Sequence, residues 1–136
     1  MINNNNKICV VDDDFTFHYI VKEYMRVMGY NHKLLEFSDG EEAIQYLREN
    51  ADNSEKLPDI ILLDINMPVM DGWQFLDDYK TLKERLAQPI AIHMVSSSIH
   101  DADVKRAAKI PEIVSYVVKP VTIEKLTNIT GYKASV

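Results

Sequence analysis

Five short apolar runs, each followed by a segment of helical periodicity, predict an α/β protein: a five-stranded parallel sheet, doubly wound, with helices on both faces. Three observations carry that expectation. The strand candidates are continuous apolar runs such as CVV at 9–11 and IILL at 60–63, which suit strands covered on both sides. Helical periodicity follows each of them. Successive parallel strands need crossovers, and a right-handed helical crossover is the usual solution.

In chain order, MINNNN is polar and of low complexity, and is expected to fray as a tail over 1–6. KICVVD (7–12) is the first strand and ends on acids. Phe17, Ile20, Val21, Tyr24, Val27 and Met28 recur at helical spacing over 15–28, with Gly29 as the stop. KLLEF (33–37) is the second strand, and Ser38-Asp39-Gly40-Glu41 has the S-x-x-E form of a capping box opening a helix through Ala43, Ile44 and Leu47. A polar loop at 50–57 precedes the third strand, DIILLD (59–64). A helix over 73–86 buries Phe75, Leu76, Tyr79 and Leu82. IAIHMV (90–95) is the fourth strand, leading through SSSIHD to a short helix that ends before Pro111. VSYVV (114–118) is the fifth, followed by Lys119-Pro120 and a final helix from Thr122 to about Thr130, cut short by Gly131. Residues 7–130 thus form one domain, with 131–136 as a second tail.

Composition narrows the function classes. A chain of 136 residues that is 46% hydrophobic can build one core and has no room for a second domain. Its net charge of -6 argues against a broad nucleic-acid-binding surface, which needs clustered Lys and Arg. The single cysteine, Cys9, excludes an internal disulfide, no signal peptide is discernible, and no apolar run reaches the length of a membrane span. These features point to a soluble cytoplasmic protein.

In a doubly wound sheet, ligands bind beyond the carboxyl ends of the strands. The residues found there are Asp12 and Asp13 after the first strand, Asp64 after the third, Ser96 after the fourth and Lys119 after the fifth. Each alone has an ordinary reading as a solvated charge, a cap or a loop hydroxyl. Together, three crowded carboxylates repel and need a positive charge to offset them. Oxygen ligands without His or Cys favour a hard divalent cation, and Mg2+ uses carboxylates, waters and phosphate oxygens. Such a site suits a phosphoryl group.

CVVDDD, ILLDINMPVMDG, MVSS and YVVKP, in this order, resemble the receiver domain of two-component response regulators over roughly residues 7–130, in the stand-alone CheY-like form. The resemblance implies the flavodoxin-like strand order 2-1-3-4-5. It implies that Asp64 accepts a phosphoryl group from a sensor histidine kinase or a histidine phosphotransfer protein. Asp13, Asp64 and the backbone carbonyl of Asn66 would touch Mg2+, with Asp12 acting mostly through water. Lys119 and Ser96 would contact the phosphoryl oxygens, and Ser97 would leave space for the donor. Ser96 and Tyr116 would be the switch pair that alters the surface of the fourth helix, fifth strand and fifth helix. It also suggests a cis Lys119–Pro120 bond, a kinase-docking face that includes Phe15, Phe17 and His18, and positions at Asn66 and Ser98 that tune hydrolysis.

The remaining residues take quieter roles. His93 and His18 are expected to pack or be solvated, and Met67, Met70 and Trp73 to pack locally. Pro68 fixes its own backbone angle in the loop after Asp64, and Gly72 supplies a geometry other residues avoid. Ser96 stands where the family it resembles more often has threonine, keeping the hydroxyl. No helix-turn-helix follows the domain, so output is expected through an unidentified protein target, a homodimer or onward transfer of the phosphoryl group, with no nucleic acid or membrane bound. A haloacid-dehalogenase-type phosphatase would carry a second acid where Asn66 stands, and Asp12-Asp13-Asp14 would repel a flavin phosphate. The alternative is a pseudo-receiver used only for interaction, but the acids and the lysine are all present.

Overall fold

The computed structural model describes residues 6–131. The strands are β1 (Ile8–Val11), β2 (Leu35–Phe37), β3 (Ile60–Leu63), β4 (Ala91–Ser96) and β5 (Ile113–Val118). The helices are α1 (Phe15–Met28), α2 (Gly40–Glu49), α3 (Gly72–Leu82), α4 (Asp101–Ala108) and α5 (Ile123–Thr130). All strand pairs are parallel, in the order β2-β1-β3-β4-β5. Of the tails expected at 1–6 and 131–136, residues 1–5 and 132–136 lie outside the described residues. Asn6 is already tied down, its Nδ2 donating to the Thr130 carbonyl at 2.9 Å.

Every residue of β1 and β3 is buried, so alternate side chains serve two separate cores. Cys9, Val11, Ile61 and Leu63 pack with Ile44, Leu47, Phe75, Leu76 and Met94 under α2 and α3. Ile8, Val10, Ile60 and Leu62 pack with Phe17, Val21, Met25, Val95 and Leu126 under α1 and α5. Between these layers the strands carry no slack.

Helix ends refine the sequence reading. α1 is capped by Asp14, which accepts from Thr16 N–H, and ends at Gly29 in the left-handed region at φ 78°. The N-cap of α2 is Asp39 rather than Ser38: Asp39 accepts from Glu42 N–H, and Glu42 reaches back to Ser38 N–H at 2.8 Å. The S-x-x-E frame is therefore one residue early, because an overlapping D-x-x-E frame fits the helix start. α3 begins earlier than expected, at Gly72, with a full capping box between Asp71 and Gln74, and tightens to a 3-10 turn at Lys83–Arg85.

In the loop after β3, the positive φ, 67°, falls on Val69, while Gly72 has none. Gly72 is required for space instead: a Cβ there would lie 2.3 Å from the Asp64 carbonyl oxygen. Its N–H donates to the Ile65 carbonyl at 2.8 Å, folding the loop tightly against the end of β3.

Opposite outcomes are expected for two substitutions in that loop. Gly72→Ala forces backbone apart and lowers unfolding free energy by roughly 1–3 kcal/mol. Val69→Asn relieves a β-branched residue of a left-handed conformation and raises it by about 1 kcal/mol. Urea unfolding of both variants reads the two signs.

Candidate functional site

The site sits at the carboxyl edge of β1, β3, β4 and β5. Val11 pairs with Leu63 in the β1–β3 ladder, and the Asp64 N–H donates to the Val11 carbonyl at 3.0 Å, so the acids that follow each strand emerge side by side. Oxygens of Asp12, Asp13 and Asp64 lie within 4.8 Å of one another.

The run of three acids after β1 divides its labour. Asp12 is fully buried, accepting the Asp14 N–H at 2.8 Å on Oδ1 and the Lys119 Nζ at 2.7 Å on Oδ2. Asp13 is exposed, with its carboxylate facing the cluster. Asp14 belongs to α1 as its cap.

Asp64 is buried, and its Oδ1 accepts the Ile65 N–H at 2.8 Å. Burial first, then the Asp12 charge, push its carboxyl up to about 6 against the opposing pull of Lys119 and the Ile65 N–H. Lys119 lies over the Phe17 ring, 4.7 Å from its centroid, as well as against Asp12. The Lys119–Pro120 peptide is cis. Asn66 is exposed two residues beyond Asp64. Among the described residues the donor set is three carboxylates with one ammonium at its edge and no imidazole or thiolate in it, which fits a hard divalent cation.

Ser96 is buried at the end of β4, its Oγ accepting the Ser98 N–H at 3.1 Å. Tyr116, half-buried on β5, donates its O–H to the Ser98 carbonyl at 2.8 Å. The Ser98 hydroxyl in turn donates to Asp103 Oδ2 at 2.5 Å, in the first turn of α4. Ser98 thus joins Ser96, Tyr116 and α4. Sequence reading gave it no such place; the signal was Asp103, five residues on, where a helix start brings an acid back over the loop.

A docking face containing Phe15, Phe17 and His18 needs correction. Phe15 is 69% exposed, but Phe17 and His18 are buried, because only one side of α1 faces water and both turn toward β1. Phe17 meets Lys119, and His18 hydrogen-bonds Asp12 and Glu36. Exposed apolar side chains do occur in the segments that follow these strands, however: Val69 after β3 and Ile99 after β4 join Phe15 at the start of α1. His93 is buried as expected, its Nδ1 2.6 Å from Ser115 Oγ.

Comparison with known proteins agrees with this arrangement. Residues 8–130 match the model of the response regulator receiver domain. The chemotaxis protein CheY1 of Helicobacter pylori is 32% identical over 120 residues, covering 88% of this chain and 90% of its own. Other relatives are longer, the match covering as little as 14% of their length. A two-component response regulator from Cytophaga hutchinsonii superposes with a TM-score of 0.83 at 26% identity, covering 95% of this chain and 96% of that one. The phosphorylated cyanobacterial phytochrome response regulator RcpA gives 0.73 at 30% identity, over 93% and 89%. The chain belongs to the response regulator receiver family, the phosphoacceptor domain of two-component signalling.

Proposed function

We propose that Asp64 is the phosphoacceptor, that Asp13, Asp64 and the Asn66 carbonyl hold Mg2+, and that Asp12 acts on the ion through water. The receiver family is a signalling family rather than one of conventional enzymes, so the chemistry serves a switch. The observation that carries the proposal is the meeting of Asp12, Asp13 and Asp64 within 4.8 Å beside Lys119. Both Asp12 oxygens are already engaged, which supports an indirect role for it.

In transfer from a phosphohistidine, an Asp64 oxygen attacks phosphorus as the P–N bond breaks, and the departing imidazole keeps the electron pair. Bound Mg2+ supplies charge neutralisation of the acids and the phosphoryl oxygens. Burial of Asp64 on a strand locked into two cores fixes its direction of attack. Lys119 moves from Asp12 to a phosphoryl oxygen, and Ser96 turns its hydroxyl to another. That turn ends the Ser98 N–H bond to Ser96, loosening the carbonyl that holds Tyr116 and the hydroxyl that holds α4. The surface of α4, β5 and α5 then changes.

The donor is a sensor histidine kinase or a histidine phosphotransfer protein. Phe15, Val69 and Ile99, 69%, 79% and 74% exposed, give such a partner apolar footing around an acidic centre. That RcpA is phosphorylated in its solved structure supports the same reading here. Among the described residues no helix is long and apolar enough to cross a membrane. We place the domain in the cytoplasm, where such donors expose their phosphohistidines.

Incubated with acetyl phosphate, the chain is expected to gain one phosphoryl mass only with Mg2+ present, the adduct being labile to hydroxylamine and absent from Asp64→Asn. An adduct that persists in that variant rules out Asp64 as sole acceptor.

A pH dependence follows from the raised Asp64 carboxyl. Its folded value, about 6, lies above the ordinary 3.8, so the folded state binds the extra proton and metal-free stability falls as pH rises from about 4 to about 6. Asp64→Asn should be the more stable protein at pH 7.5, by on the order of 1–2 kcal/mol after allowing for solvent screening, and lose most of that advantage at pH 4.5. Urea midpoints in a chelator at both pH values measure the difference.

A further inference from the structure

His18 interrupts the apolar face of α1, where Phe17, Val21, Met25 and Met28 pack on the sheet. It is only 2% exposed, and burying an imidazole is costly unless its nitrogens are satisfied. Both are. Nε2 lies 2.7 Å from the Asp12 carbonyl oxygen, and Nδ1 lies 3.0 Å from Glu36 Oε1 on β2. A carbonyl oxygen only accepts, so Nε2 donates. Glu36 takes Lys22 Nζ at 2.9 Å on its other oxygen, so the carboxylate that meets Nδ1 is itself tied to α1.

What His18 grips is the peptide between Asp12 and Asp13. The N–H side of Asp12 is held by the Phe37 carbonyl of β2 at 3.0 Å. Its carbonyl lies past the end of β1, and there His18 supplies the donor. Rotation of that peptide would swing Asp13, the one exposed carboxylate of the cluster. The grip is anchored in turn to β2, which contributes no residue to the acid cluster itself. An aliphatic residue at this position could fill the same space in the core but could not fix a peptide plane.

We propose that His18 is a positioning residue for the metal site: donating from Nε2 and held at Nδ1 by Glu36, it braces the Asp12–Asp13 peptide against β2 and so aims Asp13. This rests on the Mg2+ reading given above. Outer partners that orient a metal's ligands commonly contribute tenfold or more to affinity.

The test is Mg2+ titration of the full chain, followed by calorimetry and amide NMR, in wild type, Asp13→Asn, His18→Leu, Glu36→Gln and Glu36→Leu. Wild type should bind, and Asp13→Asn should bind at least about tenfold more weakly. If wild type does not bind, the metal reading fails and this inference with it. If both behave as expected, His18→Leu should weaken Mg2+ by about tenfold while thermal unfolding shows it folded. Glu36→Gln, which keeps an acceptor oxygen, should stay within about twofold of wild type, and Glu36→Leu should lose affinity. The double variant His18→Leu/Glu36→Leu should be no worse than His18→Leu alone. Unchanged affinity in a folded His18→Leu, or additive losses in the double variant, overturns the proposal. Should His18→Leu fail to fold, side-chain 15N spectra of wild type decide: Nε2 must carry a proton coupled to the Asp12 carbonyl, and a bare Nε2 overturns the proposal.

Discussion

Three carboxylates held together at one edge of a sheet are the constraint around which the rest is arranged. At the separations seen here, each like-charged pair costs about 3 kcal/mol at an effective dielectric near 20, and among the described residues Lys119 is the cation that stands against them within hydrogen-bond reach. The acids cannot relax by moving apart. Asp12 and Asp64 follow strands buried on both faces and joined in register, and backbone bonds from Asp12 to β2 and from Asp64 to β1 fix where each chain leaves the sheet. The fold therefore stores repulsion that a bound cation relieves. Binding of a cation here would share one equilibrium with the stability of this edge, where Lys119 is a partial counter-charge.

That geometry was readable from the sequence because it depends on period and position. Continuous apolar runs announced strands covered on both sides, and in a parallel sheet the residues ending such runs gather on one edge, so Asp12, Asp13, Asp64, Ser96 and Lys119 could be grouped without coordinates. What escaped depended on direction rather than order. Phe17 and His18 follow an exposed Phe15, and a helix places adjacent residues about 100° apart; which of three neighbours faces the sheet turns on where the helix begins, and that is set by the Asp14 cap. The Ser38 frame failed for a related reason, since two overlapping capping motifs differ by one residue and the extended backbone of Asp39 decides between them. Gly72 was expected to supply unusual backbone angles and instead supplies room for the Asp64 carbonyl, a contact across eight residues that local pattern does not record.

As the proposed phosphoacceptor, Asp64 balances two demands. A nucleophile must be ionised, yet a rigid, water-poor position favours its neutral form, and burial together with Asp12 does raise its carboxyl. Near neutral pH the ionised form still prevails, while the energetic penalty of holding it remains. Discharging that penalty requires positive charge, so on the proposed reading metal dependence and readiness to capture a phosphoryl group would have the same physical origin. Lys119 cannot discharge it alone, because its ammonium is shared between Asp12 and the face of Phe17.

Where a change at Asp64 would travel follows from how unequally the helices are anchored. α3 buries six residues and α1 five, whereas α4 buries only Ala107 and begins at His100 without a side-chain cap. Its first turn is held to the site by Asp103 through the Ser98 hydroxyl, and its last turn by Arg106 lying 4.4 Å from the centre of the Trp73 ring. With so little apolar area buried, α4 is the helix whose displacement costs least. The same Ser98 receives Tyr116 and donates to Ser96, so the residue that secures α4 would be the one disturbed if the Ser96 hydroxyl turned, as proposed. A local exchange of hydrogen bonds at the sheet edge can therefore reach the α4 surface without deforming either core, since the path runs through a loop and a loosely held helix rather than through packed strands.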